Sequence, residues 1–238
     1  MRTWSRDGDI LAAGFLDGPG VFRLTVAPDV WRNDHLAREV VADLSDPERG
    51  VLPAGKASVE VPDGTRIQEL LSEGAWCLGE SWTPLRFELT GPVAQSGLRV
   101  EVVHSAEQVS ECTVVHQSAW GSARFTDALW HTMAAGSPFA DARCLLARDD
   151  HGVAVATVTV WSADPGRPGL VEPLGVHVDH RRRGYGAAIC VAGAAELREL
   201  GSSSALVCTP TSLHSAVTTY ESAGFTKGPE RLDRTRGA

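Results

Sequence analysis

The run Asp179-His180-Arg181-Arg182-Arg183-Gly184-Tyr185-Gly186 is where this chain concentrates its chemistry. A strand pattern, Leu170 to Val178, leads into it, and a helical pattern, Ala187 to Leu200, leaves it. A helix that opens on a glycine loop presents unpaired backbone N–H groups at the positive end of its dipole, which makes an anion site. Gly184 and Gly186 let the backbone approach a phosphate with no Cβ between them, and Arg181, Arg182 and Arg183 offer bidentate phosphate donors. The spacing fits a phosphorylated cofactor. It lacks the Gly-x-Gly-x-x-Gly of dinucleotide binding and the Gly-Lys-Ser/Thr ending of a P-loop. A tight turn with a solvated arginine run is the other reading of the same residues. The five cysteines, Cys77, Cys112, Cys144, Cys190 and Cys208, stand in no recognisable nucleophile motif.

These residues need a frame, and the second half of the chain supplies one. Leu98 to His104 alternates as a strand, Ser105 is an N-cap before a helix reaching about Trp120, and a second helix covers Thr126 to Ala135. Arg143 to Arg148 and Val153 to Trp161 read as a β-hairpin around Asp149-Asp150-His151-Gly152. After the strand, loop and helix of the glycine segment come a strand at Ala205 to Thr209, a helix at Leu213 to Ala223 and a last strand after Gly224-Phe225. The order β-α-α-β-β-β-α-β-α-β is a mixed α/β fold. The polar stretch Thr90 to Gly97 has linker composition, which predicts a first domain over 1–90, a linker over 91–97 and a second domain over 98–238.

Arg181-Arg182-Arg183-Gly184-Tyr185-Gly186-Ala187 resembles the (Arg/Gln)-x-x-Gly-x-(Gly/Ala) pyrophosphate loop of the GCN5-related N-acetyltransferases, preceded at the expected distance by the Val176-His177-Val178 strand. Ala216 to Phe225 is similar to that family's Ala-x-x-x-Tyr-x-x-x-Gly-Phe helix. The resemblance covers 98–238 and implies a splayed central sheet whose parted strands admit the pantetheine arm of acetyl-CoA. It implies that Val176 and Val178 bond the pantetheine amides and that N–H groups from Arg183 to Ala187 hold the pyrophosphate. An N–H near Val176 or His177 would polarise the thioester carbonyl. Tyr220 would be the general acid for the leaving thiolate and Glu172 the base for an incoming amine, with His177 a weaker base that alternation puts on the opposite face unless a bulge intervenes. Val178 stands where proline is usual and Leu213 where asparagine is frequent before the helix. The implied reaction is acetyl or small-acyl transfer to a primary amine by direct attack. The alternative is a non-catalytic module that keeps the fold and the acyl-CoA cradle. Trp120, Phe125 and Trp161 are either acceptor-pocket or core residues.

With a shift of 150 positions, Leu24 to Asp29 falls on Leu174 to Asp179 and Leu70 to Gly74 on Tyr220 to Gly224, which reads as an internal repeat. Strand Val21 to Val26, helix Arg32 to Leu44, strand Ser58 to Val61, helix Thr65 to Glu73 and strand Leu85 to Leu89 repeat the later half of the order, with the earlier half missing. Asp34 replaces Gly184, Leu36 replaces Gly186 and Leu70 replaces Tyr220, so this copy is expected to be partial and non-catalytic.

Composition narrows the partners. The net charge of −8, with 9 Lys+Arg against 15 Asp+Glu in residues 1–97 and 13 against 15 in the rest, offers no broad basic face for nucleic acid. No apolar run approaches a membrane span and the start lacks a signal-peptide core, so a cytoplasmic protein with reduced thiols is expected. Cysteines scattered singly predict no metal site. The expected partners are acetyl-CoA and a small-molecule or peptide amine, and a homodimer is compatible.

Overall fold

The computed structural model describes residues 1–237 and divides them into two compact units, Met1–Trp82 with the chain's last residues from Glu230, and Thr83–Pro229. The divide therefore falls ahead of the Thr90 to Gly97 stretch, which lies inside the second unit, and the closing strand belongs to the first.

In chain order the first unit contains β1 (Arg2–Arg6), β2 (Asp9–Leu16), β3 (Val21–Val26), α1 (Asp34–Ser45), β4 (Ala57–Glu60), α2 (Arg66–Glu73) and the start of β5 (Cys77–Glu88). The second contains the rest of β5, then β6 (Arg99–Val102), α3 (Ala106–Trp120), α4 (Asp127–Ala134), β7 (Ala142–Arg148), β8 (Ala154–Trp161), β9 (Pro168–Val176), α5 (Tyr185–Glu199), β10 (Ser204–Pro210), α6 (His214–Ser222) and β11 (Thr226–Lys227). The closing strand β12 (Arg231–Arg236) inserts between β4 and β5 in the first unit.

The first unit has more of a beginning than its sequence suggests. A hairpin, β1 with β2, turns at Asp7 and Gly8, both at positive φ (54° and 93°), the mirror-image turn that suits the twist of paired strands. It leads into β3, and β3 pairs in parallel with β4 through only Val21, Phe22 and Arg23. Leu36, Ala37, Val40 and Leu44 form the buried stripe of α1, spaced at the helical period, in one cluster with Phe22, Leu24, Val59 and Leu71.

In the second unit the strands run β5-β10-β9-β8-β7-β6. Ser105 caps α3 in a full capping box with Gln108, and Thr126 caps α4 through Leu129 N–H, as their sequence positions predict. Helix α5 covers one face of the sheet, with Ile189, Cys190, Ala194 and Leu197 packed with Val158, Val160, Val171 and Ala205. Helix α3 covers the other face, where Val109, Cys112 and Val115 meet Cys144 and Leu146. Among the described residues no cysteine is in a disulfide, although Cys112 Sγ and Cys144 Sγ lie 3.5 Å apart, and no helix is long and apolar enough to cross a membrane.

Candidate active site

The site begins where two parallel strands stop pairing. β9 and β10 are in register at Pro168 with Ser204, Gly169 with Ala205 and Leu170 with Leu206; beyond these, 171–176 and 207–210 part. The backbone groups along the parting edge are thereby offered to something other than a strand. On its other edge β9 stays paired with β8, Gly175 opposite Thr157 and Val176 opposite Ala156. His177 N–H donates to Val155 O at 2.9 Å. Hydrogen bonding alternates along an antiparallel pair, so Val176 turns its N–H and C=O toward the gap while His177 does not. Of the two N–H groups expected to polarise a thioester, Val176 is the one the register supplies.

A bulge governs what β9 shows on each face. Leu174 pairs Val158 and Val171 pairs Val160, so Glu172 and Pro173 together oppose Thr159. The extra residue inverts the alternation and brings Glu172 onto the face that carries Gly175 and His177, which strict alternation would have separated. Glu172 is exposed, and its carbonyl accepts the Trp161 indole N–H at 2.6 Å.

Tyr220 comes from α6 and is 7 % exposed, in the α5-side cluster with Cys190, its ring 5.8 Å from Phe225. Burial pushes its phenol well above the ordinary range, and the Cys190 thiol and Glu172 carboxylate push the same way. The phenol therefore holds its proton at any working pH. Helix α6 starts at Leu213 with no side-chain cap, so the leucine found where asparagine is frequent leaves the helix start unsupported by a side chain.

The glycine loop keeps its expected shape, with a redistribution of roles. Gly184 is the N-cap of α5 at φ +82°, with no side-chain cap and nothing within 4 Å of where a Cβ would stand. Helix α5 opens two residues earlier than its pattern suggests, at Tyr185, and the N–H groups of Tyr185, Gly186 and Ala187 head it without intrahelical partners. Arg182 and Arg183 are exposed beside them, Arg182 itself at φ +61°. Gly186 serves packing: a Cβ there would sit 2.9 Å from Thr219 Cγ2 and 3.5 Å from Val176 Cγ2, so its absence seats α5 against α6 and β9. Arg181 is turned away from the cradle, its Nη2 donating to Ala119 O at 2.7 Å at the end of α3. Val178 N–H, expected to meet pantetheine, donates to Ser118 Oγ at 3.1 Å. Ser118 and Ala119 thus tie the loop to α3, a role that no motif spacing announced. His177 Nδ1 accepts Asp179 N–H at 3.4 Å, and its ring lies 5.6 Å from that of His180.

The cradle suits a diphosphate: an open helix start, two exposed arginines and a parted strand edge. A separate cavity of about 420 Å³ lies between residues 93–98 and Ala192, Ala195 and Glu196, but its lining includes Glu101 and Glu196 and no cation, which does not suit a phosphate. Among the described residues no group of three or more His, Cys, Asp or Glu could hold a metal ion.

The corresponding places in the first unit are filled. Trp31 Nε1 donates to Val26 O at 3.0 Å, so an indole occupies the strand end that matches Val176. The Asn33 side chain already accepts Leu36 N–H at the head of α1, and Asp34 adds a carboxylate there. Arg66 and Arg38, hydrogen-bonded to that carboxylate, hold it ionised below the usual range.

Residues 109–225 match the model of the acetyltransferase (GNAT) family. No curated protein matches the chain in sequence. Among solved structures, a GCN5-related N-acetyltransferase from Sphaerobacter thermophilus aligns with TM-score 0.69 at 18 % identity over 97 % of this chain and 78 % of its own. A tandem GNAT protein of the clavulanic acid biosynthesis pathway aligns with TM-score 0.66 at 15 % identity, covering 97 % and 80 %. A GCN5-related N-acetyltransferase from Kribbella flavida aligns with TM-score 0.62 at 22 % identity, covering 96 % and 87 %. These likenesses show the fold, with a partial copy ahead of the complete one. The unit that carries the parted strands and the glycine-headed helix thus holds, over residues 109–225, a domain of the acetyltransferase (GNAT) family.

Proposed function

We propose that this chain is an N-acetyltransferase that moves an acetyl or small acyl group from acetyl-CoA to a primary amine within a ternary complex. The observation that carries the reading is the parting of β9 from β10 beside the open start of α5 at Gly184, with Tyr220 on α6 and Glu172 on β9 as the acid and base candidates. The N–H groups of Tyr185, Gly186 and Ala187, with Arg182 and Arg183, would hold the pyrophosphate. The Val176 N–H would receive the charge that develops on the thioester oxygen. The amine nitrogen forms a bond to the acyl carbon and the C–S bond breaks. Tyr220 gives its proton to the departing sulfur, and Glu172 takes the proton the amine loses, directly or through water. The exposure of Glu172 gives that proton a route to solvent. Five cysteines outside any disulfide support a cytoplasmic setting.

A panel of primary amines assayed for CoA thiol release tests the reading. Amine-dependent thiol release with the acetylated amine as second product is expected. Tight acetyl-CoA binding with no thiol release across the panel would make the chain a binding module.

A further inference from the structure

The α3 side of β9 carries aromatic surface that acyl transfer itself does not use. Trp120 lies over Gly175 so closely that a Cβ there would meet its Cζ3 at 2.5 Å, and yet the indole is 49 % exposed. It stacks flat on His116, centroids 4.4 Å apart and planes 8° apart, and Phe125 tilts against the same imidazole at 4.4 Å. Beside Glu172 a second group stands: Trp161, fixed by its indole N–H on the Glu172 carbonyl, meets Phe139 edge-on at 6.0 Å. Because of the bulge, Glu172 and Gly175 lie opposite Thr159 and Thr157, two residue rises or about 7 Å apart along the strand, within the span of a small molecule.

The electrostatics of this wall are selective. Burial lowers the pKa of His116, so its imidazole stays neutral and does not repel an approaching ammonium. Glu172 supplies a carboxylate at the edge of the acyl-transfer gap. Tryptophan faces attract both apolar rings and cations. A spermidine-like polyamine would need an acceptor for each of its ammonium groups, whereas rings and one carboxylate match a single ammonium on a flat apolar body.

We propose that the acceptor is a primary amine borne on an aromatic or similarly flat apolar group, with Trp120 and Trp161 as the residues that determine this specificity. The inference rests on the acyl-transfer reading of the same site. The amine end sits at Glu172 and forms the C–N bond as the C–S bond breaks, CoA leaving as its thiol, while the ring lies along the tryptophan wall.

The test uses 2-phenylethylamine, tryptamine and spermidine as probes, titrated calorimetrically into the full chain loaded with CoA. The two aryl amines are expected to bind at least about tenfold more tightly than spermidine, the factor that one good ring contact gives. Trp120→Ala should lose about that factor for the aryl amines with acetyl-CoA affinity unchanged, and Trp120→Phe should restore most of it. Trp120→Leu, which keeps apolar volume without a ring, serves if the alanine variant fails to fold. Spermidine binding as tightly as the aryl amines, or a folded ringless variant that binds them like wild type, overturns the proposal. Should acetyl-CoA itself fail to bind, the acyl-transfer reading falls, and the same comparisons on the unloaded chain still decide the ring wall.

Discussion

Tyr220 shows how a side chain's surroundings settle its chemical use. A phenol held above its ordinary pKa by burial is a poor source of phenolate and a dependable holder of a proton. A leaving thiolate with a conjugate pKa of about 8.5 is a weaker base than that phenolate, so the upward shift keeps the proton available at every working pH and at the same time lowers the driving force for handing it over. Tyr220→Phe keeps the ring that packs against Phe225 and removes only the hydroxyl. We expect the variant to fold, to bind acetyl-CoA normally and to lose up to about 10²–10⁴-fold in kcat, less if water substitutes. The wild-type rate should show no loss of this acid below the ordinary tyrosine range near pH 10, because the shift is upward. Pre-steady-state kinetics with an amine substrate, under conditions where chemistry limits, is the check; unchanged turnover would remove Tyr220 from the acid role. At this scale residue types were legible from spacing and directions were not. Three consecutive arginines look equivalent on paper, yet Arg181 donates to the end of α3 while Arg182 and Arg183 stand exposed beside the start of α5.

Elements were legible wherever caps and periodicity coincide. Ser105 and Thr126 open α3 and α4 as read, and the strand, loop and helix of the glycine segment appear in order. The hairpin β1–β2 escaped because only Trp4 of β1 is buried, so the alternation is too weak to register; its Asp7-Gly8 turn was the available signal. The sequence leaves a bulge in β9 open, because a bulge is a property of pairing, decided only when both strands are in place. The start of α5 yields a prediction of its own. Valine at position 184 would have to adopt φ +82°, which costs about 1–3 kcal/mol for a β-branched residue, and its side chain would enter the open space above the helix start. Gly184→Val should therefore weaken acetyl-CoA binding by about tenfold or more, with circular dichroism showing the fold retained. Normal affinity in a folded variant would make the loop a structural turn and leave the cradle without its main support.

At the scale of the whole molecule, Gly, Pro and Ser mark irregular backbone, which need not be where compact units separate. Residues 90–97 are irregular yet belong to the second unit, and β12, though it follows the whole of that unit in the chain, completes the first unit between β4 and β5. The two units share an order of strand, turn, helix, strand and helix, and 3-10 turns at Pro28–Val30 and Val178–His180 lie at the same 150-residue offset. Their anion chemistry differs at each matching point. One helix opens on a bare glycine; the other opens on an asparagine that already satisfies an N–H, followed by an ionised aspartate. One strand end faces a gap; the other receives the Trp31 indole. A pyrophosphate brought to α1 would meet Asp34 at the helix start, where like charges repel and the dipole is already engaged. Acetyl-CoA should therefore titrate to one site per chain in a calorimetric experiment, and Gly184→Val should weaken that single site without uncovering a second. Two equivalent sites would show that the first unit keeps a working cradle despite Trp31 and Asp34, and its reading as a partial, non-binding copy would fall.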